Sequence, residues 1–286
     1  MNSPIEEPDD EFKAQAIAMM MSGLAQAEIE FANSVCSPFF WALRNCDGSE
    51  EIKNGSIFFL DTGEKVFGVT AAHVLQECLN DTRSRRFIQC MISGPGMNFP
   101  FSLGERVIDG NPDLDIATIK FTREEIARLG KTILHGYRES WPPRLCEMDG
   151  PVTYSGYPGH ARQLLGQREI SWGIFAAAGL VTSANEISIS IQLDRANLKQ
   201  VLGTGSFVEN YDFGGISGGP LIAIIQTNHF RFWKPAGVVI QGPNPVFDES
   251  QSILGFELIK ARPIDYILAD GSLDNERWAM NNLHRR

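Results

Sequence analysis

A chain of 286 residues with 43% hydrophobic and 21% charged residues has globular composition and room for one large domain or two small ones sharing a core. Its formal charge of −10 argues against a nucleic-acid partner, whose phosphates it would repel; the short basic runs Arg83-Ser84-Arg85-Arg86 and His284-Arg285-Arg286 read as solvated charge. The acidic opening Met1 to Glu11 is no secretory signal, and the longest uncharged apolar run, Trp172 to Val181, falls short of the ~18 residues that span a bilayer, so a soluble, cytoplasmic protein with no membrane partner is expected.

Residues 1–11 read as disordered, being acidic and poor in large apolar side chains. From Phe12 to about Ala32, Ile17, Met20, Leu24 and Phe31 recur at helical steps without a proline, which predicts an amphipathic helix. Such a face suits packing on the domain behind it and equally a regulatory protein partner, and amphipathicity alone does not separate the two.

From about Gly55 the texture turns to short β-rich runs. Ser56 to Asp61, the turn Thr62-Gly63-Glu64-Lys65, and Val66 to Thr70 form a hairpin signature. Further strands are expected at Phe87–Ile92, Arg106–Ile108, Ile116–Phe121, Val152–Tyr154, Ile187–Leu193, Leu221–Gln226, Ala236–Ile240 and Ile253–Leu258. Thr122 to Leu129, closed by Gly130, carries helix start and stop signals. The stretch from there to Trp141-Pro142-Pro143 reads as a linker, and Pro263 before Ile264 to Leu268 as the first turn of a closing helix. Many short strands between Gly, Pro, Asn and Asp turns specify an all-β barrel or sandwich.

Three segments carry chemistry. In Gly68-Val69-Thr70-Ala71-Ala72-His73 an imidazole sits just beyond a strand. In Asp113-Leu114-Asp115-Ile116-Ala117 a carboxylate opens an apolar strand. In Gly214-Gly215-Ile216-Ser217-Gly218-Gly219-Pro220 a hydroxyl is embedded in glycines. A serine hydroxyl is a poor nucleophile until an imidazole takes its proton, and that imidazole needs a carboxylate to hold its tautomer and stabilise its charge. Glycines beside the serine permit backbone angles closed to other residues and turn N–H groups toward a substrate oxygen. Each element alone is weak; together, in the order His, Asp, Ser, they are strong.

Thr70-Ala71-Ala72-His73, Asp115-Ile116-Ala117 and Ser217-Gly218-Gly219-Pro220 resemble the three motif blocks of the trypsin/chymotrypsin-like serine peptidases, over roughly residues 50–270. The resemblance implies His73 as general base, Asp115 as its orienting carboxylate and Ser217 as nucleophile, with the N–H groups of Gly215 and Ser217 as oxyanion hole. Asp113 is the rival for the acid, but the Asp-Ile-Ala block favours Asp115.

It also implies two six-stranded antiparallel β-barrels facing each other across the triad. The division is then residues 1–48 for the acidic start and N-terminal helix, 49–130 for the first barrel, 131–150 for a linker, 151–262 for the second barrel, and 263–286 for a C-terminal helix and tail. Tyr211 and Asp212 would lie at the base of the substrate pocket, with Ile240, Gln241 and Gly242 along one wall and Gly255 on another. Asp212 pointing inward would select Lys or Arg; Tyr211 in its place would select small apolar side chains.

Ile216 stands where trypsin has the acidic residue that receives a new N-terminus after zymogen cleavage, and Val74 where many secreted relatives carry a disulfide cysteine. Both departures resemble the bacterial and intracellular branches, which lack that activation step and include peptidases of prokaryotic stress and antiviral-defence modules. Cys36, Cys46, Cys78, Cys90 and Cys146 have neither CxxC nor zinc-ligand spacing and read as reduced thiols.

No metal or organic cofactor is expected. The run Asp109 to Asp113 opens like a calcium loop but has Leu114 where glycine is required and Lys120 where the final glutamate belongs; Gly203-Thr204-Gly205 lacks a dinucleotide context; and His135, His160, His229 and His284 have no partners at ligand spacing. The expected function is hydrolysis of protein or peptide substrates, restrained by specificity or by a partner at the N-terminal helix. The alternative is a catalytically silent trypsin-fold module that grips peptides.

Overall fold

The computed structural model describes residues 18, 23–95, 97–165, 169–193, 211–227, 230–243 and 257–283. The first helix, α1 (Ala25–Val35), buries Ala32 and Val35 and runs straight into strand β1 (Cys36–Arg44). It is held on the second half of the molecule. Ser155 Oγ donates to Ala32 O at 2.8 Å, Phe31 stacks on Trp233 with ring centroids 4.3 Å apart, and buried Glu28 pairs with Arg231. The described part of this helix therefore belongs to the core.

The first half is one eight-stranded sheet. Strands β1, β2 (Glu50–Asp61), β3 (Val66–Thr70), β4 (Phe87–Gly94), β5 (Met97–Phe101), β6 (Val107–Asn111) and β7 (Ile116–Lys120) pair antiparallel in the order β5-β4-β1-β2-β3-β7-β6, and β8 (Leu134–His135) runs parallel to β2. Two helices lie on this half. One, α2 (Ala72–Thr82), buries Ala72, Leu75 and Cys78 at three-residue steps. The other, α3 (Arg123–Leu129), opens on a capping box between Thr122 and Glu125 and closes on Gly130 at φ 68°.

The second half is a closed antiparallel barrel of six strands: β9 (Pro151–Gly156), β12 (Phe175–Ala184), β13 (Ile189–Leu193), β14 (Pro220–Gln226), β15 (Arg231–Gln241) and β16 (Glu257–Pro263). A hairpin of β10 (Arg162–Leu164) and β11 (Ile170–Trp172) stands apart from it. Phe58, Leu60, Phe67, Val69, Leu114 and Ile116 from the first half pack with Ile222, Val238, Ile264 and Tyr266 from the second, so one core spans the seam.

The structure departs from the expected architecture at five points. Of two six-stranded barrels, one is present; the other half is an eight-stranded sheet that ends at β5 and β6. The first sheet begins at Cys36, inside the span assigned to the N-terminal helix, because Phe39, Phe40, Trp41, Ala42 and Leu43 are all buried and give no alternation to read. The linker contributes β8 to the sheet. At Ile264–Tyr266 only a 3-10 turn forms, and the C-terminal helix α4 is Asn275–Leu283. Phe175–Ala184, an unexpected strand, pairs β9 with β13. Among the described residues no helix is long and apolar enough to cross a membrane.

Candidate active site

His73 is the second residue of α2. The face of Ala72, Leu75 and Cys78 is buried, which leaves the His73 side chain half exposed between the sheet and solvent. Asp115 ends a tight turn before β7 at φ 61°, a left-handed value rare outside glycine, asparagine and aspartate. Its N–H donates to Asn111 O at 2.8 Å, while Asn111 Oδ1 accepts from Asp113 N and Leu114 N, both at 2.9 Å. From the opposite half, Arg262 Nε donates to Leu114 O at 2.8 Å and Nη1 to Ile187 O at 2.9 Å, with the guanidinium 4.8 Å from the Trp278 ring centre.

Turn and helix converge on one carboxylate. Asp115 Oδ1 accepts the His73 backbone N–H at 2.9 Å, and Oδ2 lies 2.9 Å from His73 Nδ1. The hydrogen bond to Asp115 and its negative charge hold the imidazole pKa above its ordinary value, against the burial that opposes protonation. Nδ1 therefore faces the carboxylate and Nε2 is directed elsewhere. Asp113, the rival, is exposed and takes part only through its backbone.

Ser217 lies between the two halves in a turn locked from both sides. On the β2 side, Ser56 N donates to Ser217 O at 2.8 Å, Ser56 Oγ donates to Gly215 O at 2.8 Å, and Tyr157 N donates to Ser56 Oγ at 2.9 Å. On the β15 side, Gly218 N donates to Val239 O at 2.7 Å. Gly215 adopts φ 104° and Gly218 φ 89°; a Cβ on Gly218 would meet Ser56 O and the Thr70 hydroxyl well inside contact distance. Among the described residues the N–H groups of Gly215 and Ser217 donate to nothing.

One expected contact is absent. Ser217 Oγ donates to Ile240 O at 3.1 Å rather than to His73. The physical reason is a bulge: the register between β15 and β16 shifts between Val239 and Gln241, which takes the Ile240 carbonyl out of that ladder and makes it available to the hydroxyl. The structure thus joins His73 to Asp115 and sets Ser217 among its glycines, but not with the serine donating to the imidazole.

The pocket residues divide. Asp212 is exposed and its Oδ1 accepts Gly214 N at 2.8 Å, so its carboxylate serves its own turn, which speaks against selection of Lys or Arg by an inward charge. Tyr211 packs edge-on to His160 at 4.3 Å and against Phe213 at 5.0 Å, and burial pushes its hydroxyl up to about 12. A Cβ on Gly242 would lie 2.6 Å from Phe213 Cβ and 3.1 Å from Ile216 Cδ1, so the two walls meet there; Ile240 is half-buried and Gln241 exposed. Gly255 lies outside the described residues, as do His229, His284 and the Gly203–Gly205 run.

Sequence reasoning missed Ser56 and Arg262. Ser56 opens an apolar run and looks like any first strand residue, and Arg262 lies far along the chain from the turn it holds. Among the described residues no three His, Cys, Asp or Glu side chains gather as a metal site.

No family model and no curated protein matches the chain. One similar solved structure comes from work on how aromatic interactions drive the coupled folding and binding of the intrinsically disordered Sesbania mosaic virus VPg protein. It shares 14% identity, covers 82% of this chain and 94% of its own, and superposes with a TM-score of 0.41. A likeness that slight carries no weight for fold or activity.

Proposed function

We propose that the chain is a serine endopeptidase of trypsin/chymotrypsin-like type that hydrolyses protein or peptide substrates through an acyl-enzyme. The observation that carries this is the double engagement of Asp115 by the His73 N–H and Nδ1, 2.9 Å each, beside a serine turn whose Gly215 and Ser217 N–H groups meet no acceptor among the described residues. On this reading the eight-stranded half is an opened counterpart of the closed barrel, and the substrate lies across the seam.

On this reading Ser217 Oγ gives up Ile240 O and donates instead to His73 Nε2, the ring nitrogen that Asp115 does not engage. The imidazole then accepts the hydroxyl proton as Oγ attacks the scissile carbonyl, and Asp115 stabilises the imidazolium. The N–H groups of Gly215 and Ser217 take the developing oxyanion, where one such donor is worth about 3 kcal/mol. His73 returns its proton to the leaving amine, and a water activated the same way releases the acyl group. None of these steps calls on a metal or organic cofactor.

Buried Cys36, with its thiol pushed up to about 11 by burial, and buried Cys78 and Cys90 accord with a reducing cytoplasm. A regulatory partner at the N-terminus would meet a helix whose described part is docked on β9 and β15.

A second reading, a silent peptide-binding module, is favoured by the Ser217–Ile240 hydrogen bond. Turnover of a fluorogenic peptide library by wild type and Ser217→Ala separates the two. Loss of hydrolysis by a factor of about 10⁶ in the variant supports the peptidase. Equal hydrolysis by both proteins, or binding without hydrolysis by wild type, removes it.

A further inference from the structure

The turn that presents Ser217 has two flanks. On one, Ile240 to Gly242 and Tyr211 to Phe213 form the walls assigned to the acyl-side pocket. On the other, Asn54 of β2 crowds Gly215: a Cβ there would lie 2.7 Å from Asn54 Nδ2, 2.6 Å from Tyr157 O and 3.1 Å from Gly159 N. On the peptidase reading, with the acyl portion assigned to the first set of residues, the Asn54 side is assigned to the leaving portion.

That second flank carries a positioned cation. Arg162, the first residue of β10, donates from Nη1 to Asn54 Oδ1 at 3.0 Å, while Asn54 Nδ2 donates to Tyr157 O at 2.8 Å. Its guanidinium lies 6.0 Å from the ring centre of Trp172, its cross-strand partner on β11, and Trp172 is fixed in turn against Phe40 at 4.9 Å. The backbone beneath is pinned as well, since Gly159 N donates to Gly214 O at 2.7 Å and Gly173 N to Ala161 O at 3.0 Å.

Arg162 is half-buried, and that burial lowers its pKa from the ordinary value. Among the described residues no carboxylate pairs with it, whereas Arg106, Arg123, Arg231 and Arg277 each have one. A guanidinium carries five N–H donors, and the bond to Asn54 uses one. A partly desolvated arginine beside an indole ring, with donors to spare, is matched by a carboxylate, which a guanidinium can engage in two parallel bonds.

We propose that Arg162 is a specificity-determining residue that selects an acidic side chain, Asp or Glu, on the leaving-group side of the scissile bond, within two residues of it. The proposal rests on the peptidase reading for its direction along the substrate, but its chemistry is a binding preference that survives without turnover.

Peptides alike except for Glu, Gln or Lys at the first two leaving-side positions are measured in two ways: kcat/KM with wild type and Arg162→Gln, and binding to Ser217→Ala with and without Arg162→Gln. Wild type is expected to favour Glu over Gln by about tenfold, the scale of one charge-assisted hydrogen bond. Arg162→Gln should bring that ratio to about one, and because the ratio is taken within each protein, a general change in turnover cancels. Binding that keeps the Arg162-dependent Glu preference without hydrolysis supports the subsite and removes the peptidase. Hydrolysis indifferent to Glu, Gln and Lys, or a Glu preference that persists in Arg162→Gln, overturns the subsite and leaves the peptidase standing. Absence of both binding and hydrolysis overturns both.

Discussion

Asp115 takes two hydrogen bonds from one residue, His73, whose backbone N–H and Nδ1 each lie 2.9 Å from its carboxylate oxygens. The backbone bond fixes the start of α2 relative to the Asp115 turn, and the ring bond fixes the imidazole relative to α2. Position and tautomer of the imidazole are thereby set by one carboxylate.

Asp115→Asn keeps the shape and removes the charge. Because the Asp115 hydrogen bond and charge raise the His73 pKa, the variant should titrate His73 at lower pH than wild type, read by imidazole NMR. If His73 serves as the base in hydrolysis, as proposed, its neutral form is the active one, so the acid limb of kcat/KM should lie above the ordinary value of 6.5 in wild type and move down in the variant. On the proposed mechanism the rate at the plateau should fall by about 10⁴, as when a Ser-His-Asp triad loses this charge. The sign for stability is opposite. A raised folded-state pKa contributes stability in full below about 6.5, provided Asp115 stays ionised, and that contribution is lost as pH climbs through the folded value.

Ser56→Ala deletes a hydroxyl that links Tyr157 N to Gly215 O inside the core. Both partners are left unsatisfied, so chemical denaturation should show a loss of about 1–3 kcal/mol. With the Gly215 peptide no longer held, kcat should fall by about 10²-fold, with KM little changed.

Arg262→Met keeps the stem against Trp278 and removes the bonds to Leu114 O and Ile187 O. Arg262 touches no reacting atom and acts through the Asp115 turn. The expected result is a His73 pKa displaced toward its ordinary value together with reduced stability; a purely structural role would lower stability and leave the titration unmoved.

The His73–Asp115 pair was legible in the sequence because its surroundings are local. The Thr-Ala-Ala-His, Asp-Ile-Ala and Ser-Gly-Gly-Pro blocks mark residues whose backbone surroundings are set within a few positions, and His73 and Asp115 do meet. The capping box at Thr122 and the left-handed Gly130 were legible for the same reason. Strand β1 was not, because burial on both faces erases the period of two that marks a half-exposed strand. The Ile240 bulge was not, because it arises from the register of β15 against β16, and neither strand announces it alone. The support from Ser56 and Arg262 crosses 159 and 148 residues of chain, at distances where spacing carries no signal.

The most direct test is a fluorophosphonate probe, which reports a serine whose hydroxyl an imidazole can deprotonate. Incubated with the full chain and mapped by mass spectrometry, it should modify Ser217 alone, at a rate that collapses in His73→Ala. Failure of the folded wild-type protein to react across a range of pH and peptide effectors, or labelling of Ser217 that is indifferent to His73, would contradict the account.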